Sequence, residues 1–257
     1  MTYADLHTHT HLSFDSDASL AENCLAARQA GITTLAITNH FDFDGILDGI
    51  YPVFDPEEDR REVEAAREAF PDLRLLYSIE MGQIHTYSGM FPVLQQKYGF
   101  DYLLASLHNL EKLPDFSFLR FERMSDELID HLLRRYFSEL TVIARTPGIT
   151  TLAHLTYPMR YIKQAGKTVD PLRYEAQLRS IFHILIENGV NLEVNTSGFR
   201  QGVGESLPGL PIVALYRDCG GRKVAVGSDA HFSEHIGAMV KETTDCLAEM
   251  GMEIAYT

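Results

Sequence analysis

Ala4-Asp5-Leu6-His7-Thr8-His9 is a strand-like run that ends in two imidazoles, and its reading decides the fold. In an extended chain side chains alternate faces, so His7 and His9 point the same way. Three further segments repeat the design. Thr38-Asn39-His40, Ser106-Leu107-His108 and Gly227-Ser228-Asp229-Ala230-His231 each follow or close a short run of β-branched and aliphatic residues. Asp229 and His231 again share a face. Two imidazoles from one strand end and a carboxylate–imidazole pair from another form a chelating set suited to a divalent metal.

Outward from these segments, seven runs read as buried strands: 4–7, 34–38, 73–80, 102–108, 150–154, 191–196 and 223–227. Helical patterns lie between them, over 19–30, 56–70, 126–144, 170–189, 211–219 and 233–250. Gly31 and Gly189 stand where left-handed helix ends are expected, and Asp55-Pro56 has the form of a helix start. Strands alternating with helices predict parallel β/α units, and no linker or compositional break divides the chain. The expectation is an α/β barrel forming a single domain over residues 1–257. His7, Glu80, His108, His154, Asn195 and Asp229 all fall at or just beyond the C-terminal ends of these strands. A parallel barrel gathers those ends into one rim, so residues distant in sequence become neighbours there.

The bulk properties narrow the class. A hydrophobic content of 45% in 257 residues suits a globule with a sizeable core, and every apolar run is too short for a membrane span. A net charge of −14 argues against a nucleic-acid-binding surface. Three scattered cysteines, Cys24, Cys219 and Cys246, and the absence of a signal-peptide pattern suit a reducing cytoplasm. Phosphate-binding P-loop, dinucleotide, serine-elbow and zincin motifs are all missing.

Individual residues sharpen the chemistry. Glu80 ends the apolar run Leu75-Leu76-Tyr77-Ser78-Ile79, where a carboxylate is costly without cationic partners, and it reads as a bridge between two metals. Asp15 follows the first histidine pair and serves either as a ligand or as a turn residue. His11 and His85, in loops after strands, are weaker candidates to approach a substrate. Arg160 and Arg200 follow His154 and Asn195 on the same rim, where guanidinium groups suit phosphate oxygens. Phe41-Asp42-Phe43-Asp44, and Phe116, Phe118 and Phe121, could offer rings and carboxylates to a substrate carrying an imidazole and an ammonium group.

Together the motifs Asp5-Leu6-His7-Thr8-His9, Thr38-Asn39-His40, Glu80-Met81-Gly82, Ser106-Leu107-His108, Ala153-His154-Leu155 and Gly227 to His231 resemble the polymerase and histidinol phosphatase (PHP) family in kind and order. The stretches His154 to Arg160 and Leu192 to Arg200 resemble its stand-alone histidinol-phosphate phosphatases. The resemblance implies a distorted seven-stranded (β/α) barrel with two to three divalent transition metals, zinc, iron or manganese. By motif, the ligands would be His7, His9, Asp15, His40, Glu80, His108, His154, Asp229 and His231, with Asp15 standing where the family often has histidine. It further implies hydrolysis of a small phosphate monoester, L-histidinol phosphate, by a metal-activated water. Arg160 and Arg200 would hold the phosphoryl oxygens, and Asp229, His231 or a water on the third metal would supply the proton for the leaving group. Rival expectations are a phosphoesterase for another metabolite or nucleotide, an inactive metal-binding domain, and an amidohydrolase-type barrel.

Overall fold

A computed structural model describes residues 2–256, and its nine strands pair in parallel in one curled sheet. In chain order the elements are β1 (Ala4–Thr8), α1 (Leu20–Ala30), β2 (Thr34–Ile37), β3 (His40–Asp42), α2 (Phe43–Leu47), α3 (Pro56–Ala69), β4 (Arg74–Gly82), α4 (Phe91–Tyr98) and β5 (Tyr102–Ser106). They continue with α5 (Asp126–Ile143), β6 (Thr151–Leu152), α6 (Pro158–Gln164), α7 (Glu175–Asn188), β7 (Asn191–Asn195), α8 (Ser197–Arg200), α9 (Leu210–Asp218), β8 (Lys223–Gly227), α10 (Val240–Glu249) and β9 (Glu253–Ile254).

All seven runs read as strands are strands, but the expected count of seven is short by two. The second run ends as a strand at Ile37, and beyond Thr38 and Asn39 the chain pairs again as β3. β2 lies along Arg74–Tyr77 and β3 along Glu80–Gly82, so the two share one long neighbour, β4. The other addition, β9, pairs with the first residues of β8. The sheet order runs β1-β2-β4-β5-β6-β7-β8-β9. At the C-terminal rim the sheet curls shut: Thr8 bridges Ala230, the amide of Asp229 donates to the carbonyl of His7 (2.8 Å), and that of His9 to Ala230 (2.9 Å).

Strand alternation sorts the core into two layers. On β4, Leu75, Tyr77 and Ile79 face the surrounding helices, as do Leu192 and Val194 on β7. The opposite faces supply a smaller interior cluster of Ala4, Leu6, Ala36, Leu76, Tyr102, Leu104, Ala153, Ala225 and Ala255. The C-terminal tail closes this end, with the Tyr256 ring edge-on to Tyr102 at 5.6 Å and its carbonyl accepting from the Thr34 hydroxyl.

Local chemistry accounts for most helix limits. Ser19 and Glu22 form a reciprocal capping box on α1, and Asp55 caps α3 ahead of Pro56. The run expected as one helix over 233–250 divides into a 3-10 turn and α10. The helix α6, which carries Arg160, opens at Pro158 in what reads as a loop from sequence.

Candidate metal centre

A register irregularity between Asp5 and Thr8 sets up the site's first strand. Leu6 joins the interior cluster, and His7 nevertheless faces the rim beside His9, as a bulge permits. Gly227 on β8 makes the room for this. A Cβ there would lie 2.4 Å from the His7 Cβ and 2.7 Å from a Glu193 oxygen.

Glu80 stands at the centre and is fully buried. One of its oxygens lies 3.0 Å from His154 Nε2 and 3.2 Å from His108 Nε2, and accepts from the Ser106 hydroxyl. The other lies 3.0 Å from His40 Nδ1, 3.2 Å from His7 Nε2 and 3.6 Å from His9 Nε2. Asp229 Oδ1 sits 3.6 Å from both His7 Nε2 and His9 Nε2. Asp229 holds a left-handed φ of 55° without being glycine, a strained backbone of the kind found at functional sites. Its other oxygen accepts from the Ser197 hydroxyl at 3.3 Å and from Asn195 at 3.4 Å.

Four triads of donor atoms fall within 4.8 Å of one another: His9, His40 and His231; His7, His9 and Asp229; His7, Glu80 and His154; His40, Glu80 and His108. Eight of the nine residues expected as ligands are in them. The ninth, Asp15, lies at the open edge, 3.1 Å from His231 Nε2 and 3.5 Å from His40 Nε2.

The donor set fits a cation. His7 Nε2, His9 Nε2, His40 Nδ1 and Glu80 Oε2 are buried, crowd together, and have no hydrogen-bond partner among the described residues. Electrostatics points the same way. Burial alone would keep His7 neutral, yet Glu193, Glu80 and Asp229 lift its pKa well above the imidazole value. Against the same burial, Glu80 and Asp15 raise His40, and Asp42 and Glu80 raise His108 to about 10. Burial opposes charge on Glu80 and Asp229 too, but the facing histidines hold both well below the carboxylate range. His9 is the exception, since burial and the charges of His231 and His40 push it down to about 3. The carboxylates thus demand positive charge, which a divalent ion supplies without a proton. Mixed imidazole and carboxylate donors suit zinc, iron or manganese.

Several functional residues escaped the sequence reading. Glu193 binds His7 Nδ1 through one oxygen (2.7 Å) and the His154 amide through the other (2.6 Å). Its one signal is a carboxylate inside the buried strand Leu192-Glu193-Val194. Asp42, read as a contact for a substrate ammonium, instead lies buried against His108 Nδ1 at 2.7 Å and His40 Nδ1 at 3.3 Å. Gly82 leaves space for it, because a Cβ there would meet its oxygen at 2.0 Å. Phe43, Phe116 and Phe121 are core residues, and Phe41 packs edge-on to Phe43. Asp44 accepts from Asn109. His11 and His85 pair with Glu62 and Glu139 and do not line the cavity.

That cavity, about 870 Å³, opens over the donor cluster. Its walls include Phe14 and Tyr51, stacked at 3.8 Å, together with Asp115, Phe118, Tyr157, Tyr161 and His235. Both arginines reach it. Arg160 donates to Gln201 (2.5 Å) and to the Tyr161 hydroxyl, and lies over the rings of Tyr157 and Tyr161 at 4.8 and 4.6 Å. Arg200 donates to the Asp229 carbonyl at 2.6 Å. Each keeps one buried nitrogen, Arg160 Nε and Arg200 Nη1, without a partner among the described residues.

Residues 5–197 match the PHP domain model. A probable histidinol-phosphatase of Thermotoga maritima is 30% identical over 97% of this chain and 93% of its own. The histidinol-phosphatase of Lactococcus lactis is 22% identical over 91% and 86%. Among solved structures, the Lactococcus lactis histidinol phosphate phosphatase complexed with zinc, L-histidinol and phosphate superposes with a TM-score of 0.83. That likeness covers 98% of this chain and 95% of the other at 18% identity, and so bears on the fold. A putative histidinol phosphatase of Listeria monocytogenes gives 0.79 at 17% identity, covering 93% and 99%.

Proposed function

The chain belongs to the PHP family, and from that premise we propose that it hydrolyses L-histidinol phosphate to L-histidinol and phosphate, as a metal-dependent phosphoric monoester hydrolase of histidine biosynthesis. The observation that carries the reading is the donor cluster around Glu80 beneath a cavity that both arginines line. The curated relatives are named for this activity over nearly the full length of the chain.

In this reading one PHP unit spans the chain and holds two to three divalent transition metals through His7, His9, Asp15, His40, Glu80, His108, His154, Asp229 and His231. When bound, such metals activate water at neutral pH and neutralise charge on phosphoryl oxygens. The chain's own groups do the rest. The guanidinium groups of Arg160 and Arg200 donate charge-assisted hydrogen bonds to the phosphate, and their existing contacts to Gln201 and the Asp229 carbonyl hold them in position. Glu193 and Asp42 fix the rings of His7 and His108 through their Nδ1 atoms. Asp229 stays ionised and orients His231, 3.5 Å away on the cavity wall, and His231 would carry the proton for the leaving alkoxide. The organic half of the substrate occupies the aromatic mouth, where Asp115 offers a carboxylate. No helix among the described residues is long and apolar enough to cross a membrane, and three unpaired cysteines fit work in the cytoplasm.

Steady-state phosphate release, with metal content measured on the same sample, tests this reading. The expected kcat/KM for L-histidinol phosphate exceeds that for p-nitrophenyl phosphate or nucleoside monophosphates by about two orders of magnitude or more. Arg160→Ala and Arg200→Ala should each lower it roughly 10- to 100-fold, the worth of one hydrogen bond to a charged group, with metal content unchanged. Comparable values across the panel would remove L-histidinol phosphate as the dedicated substrate. Normal kinetics in both variants would remove the arginine clamp.

A further inference from the structure

Beside the donor cluster and outside the cavity lining, a chain of buried hydrogen bonds joins α3 to His9. Asp59, in the first turn of α3, is 1% exposed, and Asn39 is fully buried. Asn39 Nδ2 donates to Asp59 Oδ1 at 2.8 Å and to the Thr10 hydroxyl at 3.0 Å. Asn39 Oδ1 accepts from the Thr10 amide at 2.8 Å and from the Ser13 hydroxyl at 3.0 Å. Ser13 Oγ also lies 3.1 Å from the His40 amide and 3.0 Å from His9 Nδ1.

The proton on each bond follows from donors that cannot change roles. A backbone amide can only donate, so the Thr10 amide fixes which end of the Asn39 side chain is oxygen. The opposite end must then be the amino group, which matches the carboxyl of Asp59. Because Asn39 Oδ1 carries no proton, the Ser13 hydroxyl spends its single proton on that oxygen. Ser13 Oγ already accepts from the His40 amide and has one lone pair left for His9. His9 Nδ1 must therefore be the donor in that contact. The proton sits on Nδ1 and the Nε2 lone pair is bare. That bare nitrogen is the atom left without a hydrogen-bond partner among the described residues, 3.6 Å from Glu80 and from Asp229.

We infer that Asp59, Asn39 and Ser13 are positioning residues that lock His9 in its Nδ1–H tautomer and so prepare Nε2 as a metal ligand. No member of this strut faces the substrate cavity. The strut spans three elements: the loop after β1, the break between β2 and β3, and helix α3. Asn39 sits between β2 and β3, where its side chain meets Asp59, Thr10 and Ser13 while its carbonyl accepts from the Glu80 amide. The consequence for metal rests on the reading of His9 as a ligand, whereas the tautomer itself does not.

Long-range ¹H–¹⁵N correlation spectra of metal-free protein carrying ¹⁵N-histidine read the tautomer directly, with a His9→Gln variant assigning the signal. The wild type is expected to show a protonated Nδ1 and an unprotonated Nε2 at His9. Ser13→Ala, a small change that removes the acceptor, and Asn39→Ala, which frees the Ser13 hydroxyl to donate, should both shift His9 towards the Nε2–H form. Asp59→Asn keeps an acceptor facing Asn39 and should retain the wild-type tautomer. Equilibrium zinc titrations should show affinity about 10- to 100-fold weaker in Ser13→Ala and unchanged in Asp59→Asn. An Nε2–H signal in the wild type would overturn the inference whatever the variants do, as would an unaltered His9 signal in folded Ser13→Ala. Neither readout involves a substrate, so a failure of the proposed phosphatase activity would show separately, as absent phosphate release from wild-type protein with a normal His9 signal.

Discussion

The two ends of the barrel interior are built from the same strand faces by the same alternation, yet they are held together by different physics. Along β4 the inward residues run Leu76, Ser78, Glu80, and along β5 they run Tyr102, Leu104, Ser106. The lower layer is an apolar cluster dominated by alanine and leucine and closed by Ala255 and Tyr256. It needs only matched volumes. The upper layer is largely buried too, around a fully buried Glu80, but its polar atoms need partners of the right sign. The difference teaches that burial alone does not define a core. The lower layer fails by leaving a void, and the upper one by stranding a charge.

Replacing the central group should produce the largest effect. Glu80 faces His7, His9, His40, His108 and His154 at once. Glu80→Gln should abolish phosphate release and sharply reduce bound metal, as elemental analysis of chelator-free protein would record. Near-normal metal content would show that the rim does not depend on its central carboxylate, and the contrast between the layers would lose its main support.

The matching cut in the lower layer is Leu104→Ala. Leu104 is fully buried, and truncating such a side chain costs about 2–5 kcal/mol of stability. Denaturant titration should show that loss, while the metal affinity of the folded protein stays at the wild-type value. A clear change in metal affinity would mean that the two layers are mechanically coupled.

Glu193→Gln tests the boundary between them. Glu193 touches no substrate-lined surface and serves His7 and the His154 amide. Metal affinity should fall about 10- to 100-fold, the usual cost of losing a group that orients a ligand. An unchanged affinity would reduce Glu193 to a structural tie between β7 and its neighbours.

How much of this was legible in sequence follows the same division. The residues gathered around Glu80 were readable because each ends an apolar strand, where a polar side chain has no packing reason to be. The seven central strands were readable from the same runs. Glu193, Ser13, Asn39 and Asp59 were not, because their roles lie in which donor meets which acceptor across elements distant in sequence. Asp42 and Phe43 were misplaced for a related reason: β3 carries Asp42 beneath His108, and Phe43 turns into the core beside Tyr87. Arg160 was found as a residue, but its helix was not, since Pro158 opens α6 without a side-chain cap.

The last test belongs to Asp59, a buried carboxyl outside the barrel, and it asks whether stranded charge is confined to the upper layer. Burial raises its pKa from 3.8 to about 8; the Asn39 hydrogen bond opposes the shift and Glu62 adds to it. Between those values the folded chain keeps a proton that the unfolded chain has released. Stability must then fall as pH rises from about 4 to about 8 and level off beyond, with a slope of at most about 1.4 kcal/mol per pH unit from this group. Glu80 and Asp229, whose pKa values are depressed, tilt the curve the other way at acid pH, so the informative quantity is a difference between proteins. Asp59→Asn retains an acceptor for Asn39 and removes the titration. The wild type should therefore lose stability relative to Asp59→Asn as pH is raised from 5 to 8, with metal held saturating throughout. A difference that stays constant across that range would place the Asp59 pKa near its ordinary value, and with it the conclusion that uncompensated burial extends beyond the rim would fall.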